Sequence, residues 1–203
     1  MPARRAALIV GLAGAVLTGA AVSHARSWEA AVVIDAALLA GAAAAGSVIG
    51  AGIEQPGYLL PVAWVSGLTD AASVLYRMGP SALIAARPRV LSLLALSFPL
   101  VGSGRIEPIL GVGDVLFCAV YVAAARRHRL GLGRMTAALG AGLLATLVLV
   151  VALETAVPAL PMLGAFVILL FPTARSIPAA DRRVSFAAMT LVTVAVTVLL
   201  LVG

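Results

Sequence analysis

Seven apolar stretches, each near the length at which an α-helix crosses a lipid bilayer, fill this sequence almost end to end. They lie at 6–22, 30–53, 58–76, 109–125, 135–153, 156–171 and 184–202. A spanning helix takes about 20 apolar residues, because the hydrocarbon layer is ~30 Å thick and each helical residue advances ~1.5 Å. Seven such spans with short loops use up the 203 residues. The expected fold is therefore all-α: a polytopic transmembrane bundle of about seven spans, forming one membrane-embedded domain over 1–203. An eighth stretch, 90–101, lies between Pro88 and Gly102, contains Pro99 and is too short to span, so it reads as a re-entrant or interfacial piece. Composition agrees, with 63% hydrophobic and 11% charged residues where a soluble domain has about half and a quarter. A disordered tail, a soluble nucleotide enzyme and a disulfide scaffold are excluded, the last because Cys118 is the sole cysteine.

All 14 basic residues are arginine, against 8 acids, giving a net charge of +6. In a soluble protein that balance would suggest nucleic acid. In this chain the arginines sit between apolar runs without aromatic residues to stack bases, so they read as orientation signals and contacts to anionic lipid headgroups. With seven crossings, one side carries nine of them, Arg4, Arg5, Arg126, Arg127, Arg129, Arg134, Arg175, Arg182 and Arg183. The other carries five, Arg26, Arg77, Arg87, Arg89 and Arg105. The positive-inside rule then puts the amino terminus in the cytoplasm and the 76–108 connection outside, in what reads as a prokaryotic cytoplasmic membrane. Arg4 and Arg5 ahead of an apolar run would also suit a signal peptide, but the run is long for one, and the segment reads as a retained anchor. The Ala/Gly-rich stretch 38–52 permits close helix contact.

Most of the acids fall at segment ends, where water or headgroups solvate them. Asp35 lies about one turn inside its span and reads as structural, reaching the interface or a neighbouring helix. Asp70 and Asp114 sit deeper, where an ionised carboxylate costs about 2.5–3.5 kcal/mol on insertion scales, so they default to function. Counted along their helices, both lie roughly 8 Å from the same membrane face on consecutive, antiparallel spans. Each has a glycine three residues earlier, Gly67 and Gly111, and with Ser66, Ser73 and Gly113 nearby those faces are small enough for backbones to approach closely. Two facing carboxylates cannot both ionise cheaply; sharing one proton, they supply a general base for water and a general acid for a leaving group. Spacing alone serves proton or cation transport equally well.

The flanking motifs break the tie. Leu110-Gly111-Val112-Gly113-Asp114 resembles the GxGD signature of the presenilin and signal peptide peptidase family of intramembrane aspartyl proteases. Pro158-Ala159-Leu160-Pro161 resembles that family's PAL motif, and Asp70-Ala71-Ala72-Ser73 followed by Gly79-Pro80 looks like its first aspartate helix and exit. The resemblance covers about 58–172. It implies a catalytic dyad of Asp70 and Asp114, with Gly111, Val112, Gly113, Pro158, Ala159 and Leu160 shaping the site and holding an extended substrate. Thr69 stands where the family usually has tyrosine, and helix 184–202 follows the PAL helix, which is commonly last.

The expected activity is hydrolysis of peptide bonds in transmembrane segments or signal-peptide remnants, with water and no cofactor. Transmembrane peptides and the bilayer are the expected partners, with self-association a further expectation and nucleic acid not among them. The alternatives are a small proton- or cation-coupled transporter, a prepilin-peptidase-like aspartyl protease, although Leu116 replaces the lysine usual two residues after that aspartate, and a noncatalytic assembly factor. Serine catalysis of the rhomboid kind lacks a suitable GxSG. No metal site is expected, since HExxH is missing and His24 and His128 are isolated.

Overall fold

The computed structural model describes residues 3–23, 28–76, 79–99 and 106–202. Helices dominate, as the apolar runs require: α1 (Ala3–Ser23), α2 (Trp28–Gly52), α3 (Leu59–Leu75), the short α4 (Pro80–Ala85) and α5 (Pro88–Leu94), then α6 (Val112–Arg127), α7 (Leu132–Leu153), α8 (Leu160–Leu170) and α9 (Arg182–Val202). Between α5 and α6 stands an antiparallel hairpin of β1 (Ala95–Pro99) and β2 (Ile106–Gly111).

Among the described residues, four stretches are long and apolar enough to cross a membrane: Ala31–Gly52, Pro56–Leu75, Leu132–Leu153 and Arg182–Val202. This supports a helical membrane protein and narrows the expectation of seven full-length spans. Arg5–Gly19 and Leu160–Leu170 are apolar but shorter. The 156–171 run yields an 11-residue helix, about 16 Å long, because Pro161 fixes its first turn and Pro172 stops it. The 109–125 run begins as strand and turns helical only at Val112. Apolarity continues across that junction, and a continuous apolar run does not distinguish strand from helix. Of the 90–101 piece, expected to be re-entrant or interfacial, residues 90–99 form the end of α5 followed by β1, and 100–101 lie outside the described residues.

The chain divides into two compact units. The first comprises Met1–Ala51 and Ile84–Ala123. Its core is built on α2, where Ile34 and Leu38 enclose Leu96 of β1, with Leu17, Leu93, Leu110, Val112 and Val115 packed around them. Farther along α2, Gly46 and Gly50 lie against α6: a Cβ on Gly46 would overlap the Leu116 carbonyl, and one on Gly50 the Val120 carbonyl. The small residues of 38–52 thus let two backbones touch, a contact that drives helix pairing where no hydrophobic force acts between helices.

The second unit comprises Gly52–Leu83 and Ala124–Gly203. Here α8 packs between α3 and α7, burying Leu163 and Val167 completely. It runs antiparallel to both. Gly67 meets Pro161 while Ala63 meets Gly164, and Gly142 meets Leu163 while Arg134 stacks on the Phe171 ring at 5.2 Å. The last helix, α9, runs along α3, joined by Tyr58 Oη donating to Asp181 at 2.6 Å and Trp64 Nε1 donating to Thr193 at 2.9 Å.

Candidate active site

Asp70 sits five residues before the end of α3, where the two hydroxyls that precede it bond their own helix: Ser66 donates to the Ala63 carbonyl and Thr69 to that of Val65. A carboxylate has no proton to donate in that way. Asp70 instead accepts the backbone N–H of Leu160 at 3.0 Å, with a further backbone hydrogen bond from Ala159. Those donors exist because a helix begins there. The first N–H groups of α8 have no partner within the helix, Pro161 supplies none, and Ala159 at the N-cap has no side chain that accepts. Asp70 therefore caps α8 from 90 residues away. The positive end of the helix dipole favours a carboxylate at that place. At the opposite end of α8, Arg175 donates through Nε to the Ile168 carbonyl at 2.8 Å and through Nη2 to that of Leu169 at 2.7 Å, so both ends carry the complementary charge.

This contact depends on helices that approach closely. A Cβ on Gly67 would stand 3.3 Å from Pro161 Cα, and one on Gly164 2.9 Å from Ala63 Cβ. Pro161 occupies the face of Gly67, the close backbone approach that the small residues there permit. Open space lies alongside it, in a groove of about 410 Å³ between α3 and α8 lined by Trp64, Leu68, Ala71, Pro161 and Ala165. Of the PAL residues, Ala159 and Leu160 present backbone to Asp70. Pro158 stands before the helix, and Pro161 takes the first turn.

One turn beyond Asp70, Ser73 Oγ lies 2.7 Å from Ser81 Oγ and accepts the Ser81 N–H at 2.9 Å. Gly79 fits beneath the Ser73 carbonyl, where a Cβ would overlap it. The Gly79-Pro80 exit is thereby tied back onto the aspartate helix. From the sequence Ser73 counts only as a small residue; Ser81, just past a Gly-Pro turn, is the available clue to its partner.

The Asp114 half belongs to the first unit. Strand β2 passes without a loop into α6, and Asp114 falls in the first turn of that helix, where its charge suits the helix dipole. The apolar run predicts it about five residues in; the late helix start places it at the third. A Cβ on Gly111 would stand 3.4 Å from Asp114 Oδ2, so anything larger than glycine there crowds the carboxylate. Gly113 is exposed, and a Cβ added to it would meet nothing within 4 Å. Val112, partly buried, packs against the cluster around Leu96. Each aspartate is thus set beside its own motif, Asp70 against Ala159 and Leu160, Asp114 against Gly111, and the two belong to different units.

Asp35, read as structural, accepts the Ser97 N–H of β1 with both oxygens, at 3.1 and 3.2 Å. Compared with known proteins, the chain matches no family model, no curated protein and no solved structure.

Proposed function

We propose that the chain is a small intramembrane aspartyl protease of the presenilin and signal peptide peptidase kind, with Asp70 and Asp114 as its catalytic pair. The observation that carries this reading is the hydrogen bond from Leu160 N–H to the Asp70 carboxylate. Two motifs 90 residues apart, read as parts of one site, meet there, a side-chain carboxylate accepting a backbone N–H.

In this reading one carboxylate takes a proton from water, whose oxygen attacks the peptide carbonyl, while the other, protonated, gives its proton to the departing amine. Both groups are needed in one proton count. A peptide bond inside a helix is shielded by its own hydrogen bonds and side chains, so the substrate must unwind locally. Exposed Gly113 leaves backbone approachable beside Asp114, and among the described residues β2 has one side without a partner strand, on which an extended chain can pair. The substrates are transmembrane peptides or signal-peptide remnants entering with a cytoplasmic amino terminus, in line with arginine-rich loops on the cytoplasmic side.

The test is purified protein in detergent with a fluorogenic transmembrane peptide. Cleavage is expected, abolished in both Asp70→Asn and Asp114→Asn and blocked by a transition-state mimic of aspartyl proteolysis. Intact peptide across pH and lipid conditions, together with proton- or cation-driven uptake into liposomes, would move the assignment to a transporter.

A further inference from the structure

Asp35 is an acid that the proposed chemistry does not use, and its surroundings give it a specific task. Strand pairing in the hairpin runs Ala95 to Gly111, Leu96 to Leu110, then Ser97 to Pro108, with a register shift between Leu96 and Ser97 that leaves Ile109 as the extra residue. A bulge breaks the ladder at that point, and Pro108 has no N–H to give. The Ser97 N–H at this break goes to both oxygens of Asp35, on the neighbouring helix α2.

Three kinds of contact hold the hairpin and α6 to α2. Leu96 packs between Ile34 and Leu38, and Gly46 and Gly50 abut the carbonyls of Leu116 and Val120. The glycine contacts hold α6 at 46–50, since sliding would bring neighbouring Cβ atoms onto those carbonyls, but the apolar packing of Leu96 at the hairpin end is non-directional. The Asp35 contact is directional, and it lies 11 residues, about 16 Å, along α2 from Gly46. It therefore fixes how far the hairpin sits along α2. Because β2 ends at Gly111 and α6 begins at Val112, no loop absorbs a displacement before Asp114.

From this we infer that Asp35 is a positioning residue: through the Ser97 N–H it sets the hairpin, and through the hairpin it sets the Asp114 carboxylate. The inference rests on the protease reading and adds to it a third acid with no part in proton transfer. What it requires of residue 35 is an oxygen at one place, not a charge. Asparagine supplies that oxygen at the same reach; glutamate keeps the charge but moves it outward by a methylene.

The experiment compares Asp35→Asn, Asp35→Glu and Asp35→Ala in the full chain, using the transmembrane peptide and amide hydrogen exchange across residues 95–111. Asp35→Asn is expected to keep kcat within about threefold of wild type and to leave the Ser97 amide protected. Asp35→Glu is expected to lower kcat by about a hundredfold, the scale of a 1 Å misplacement, with KM nearly unchanged. Asp35→Ala should behave like Asp35→Glu and deprotect Ser97; if it does not fold, the Asn and Glu pair decides alone. Wild-type rates in Asp35→Glu, or equal losses in Asn and Glu, overturn the positioning role while leaving the protease reading intact. A wild-type chain that never cleaves overturns the protease reading and the role with it.

Discussion

A carboxylate that caps a helix it does not belong to has two separable jobs. Asp70 accepts the Leu160 N–H, and in the proposed reaction it also handles a proton. Asparagine retains an accepting oxygen, so Asp70→Asn is expected to unfold in detergent at nearly the wild-type temperature while losing all cleavage. Asp70→Ala leaves the Leu160 N–H without its acceptor and should lose a further ~1.5–3 kcal/mol, the range for hydrogen bonds to charged groups. Equal stability of the Ala and Asn variants in a thermal denaturation series would show that the bond contributes nothing to folding. That Asp70 matters was legible in the sequence, because an acid in an apolar run demands a reason. Its partner was not, because a backbone N–H has no signature in residue identity. The same holds for Asp35, whose structural role could be read while Ser97 could not: the break in the ladder arises from a register shift that residue identities do not encode.

Between elements, glycine decides how closely helices approach, and two glycines on α7 separate that role from mere composition. Gly142 lies against Leu163, whose Cα would be 3.0 Å from an added Cβ, whereas Gly140 has nothing within 4 Å. Gly142→Ala must push α7 from α8 and is expected to destabilise by about 1–3 kcal/mol, the usual penalty for overpacking. Gly140→Ala fills open space on an exposed helix face and is expected to stabilise by about 0.4–1 kcal/mol through the unfolded chain. Detergent unfolding of both variants checks the pair, and effects of the same sign would contradict the packing. Close contact along 38–52 was legible in its small residues, and the Gly46 and Gly50 contacts with α6 bear it out. The start of α6 was not. Strand and helix share one apolar pattern through Ile109–Gly111, so the pattern alone sets Asp114 deeper in its helix than the first turn where it lies.

Over the whole chain the number of crossings, more than any single contact, fixes what faces which compartment. Within the second unit α8 runs antiparallel to both α3 and α7, so α3 and α7 point the same way, and the chain must return between them. At the starting end of α3 and α7 stand Arg134 over Phe171 and Arg175 on the α8 carbonyls, with a Cβ on Gly57 overlapping the Ser176 carbonyl. Glu154 and Thr155 follow the far end of α7, 22 residues or about 33 Å of helix away, which matches the hydrocarbon thickness. A helix of 11 residues suffices for the way back because its lead-in, 154–159, is not helical and already descends toward Asp70. On the orientation proposed from the positive-inside rule, the arginine-rich starting end is cytoplasmic. In a Cys118→Ala background, Gln55→Cys and Ser176→Cys should therefore react with a membrane-impermeant maleimide only in inside-out vesicles, and Thr155→Cys only in right-side-out ones. All three positions are exposed on the protein surface. Labelling of Thr155→Cys from the same side as Ser176→Cys would mean that α7 does not cross. The orientation drawn from the arginines would then fail, and with it the preference for substrates that enter amino terminus first from the cytoplasm.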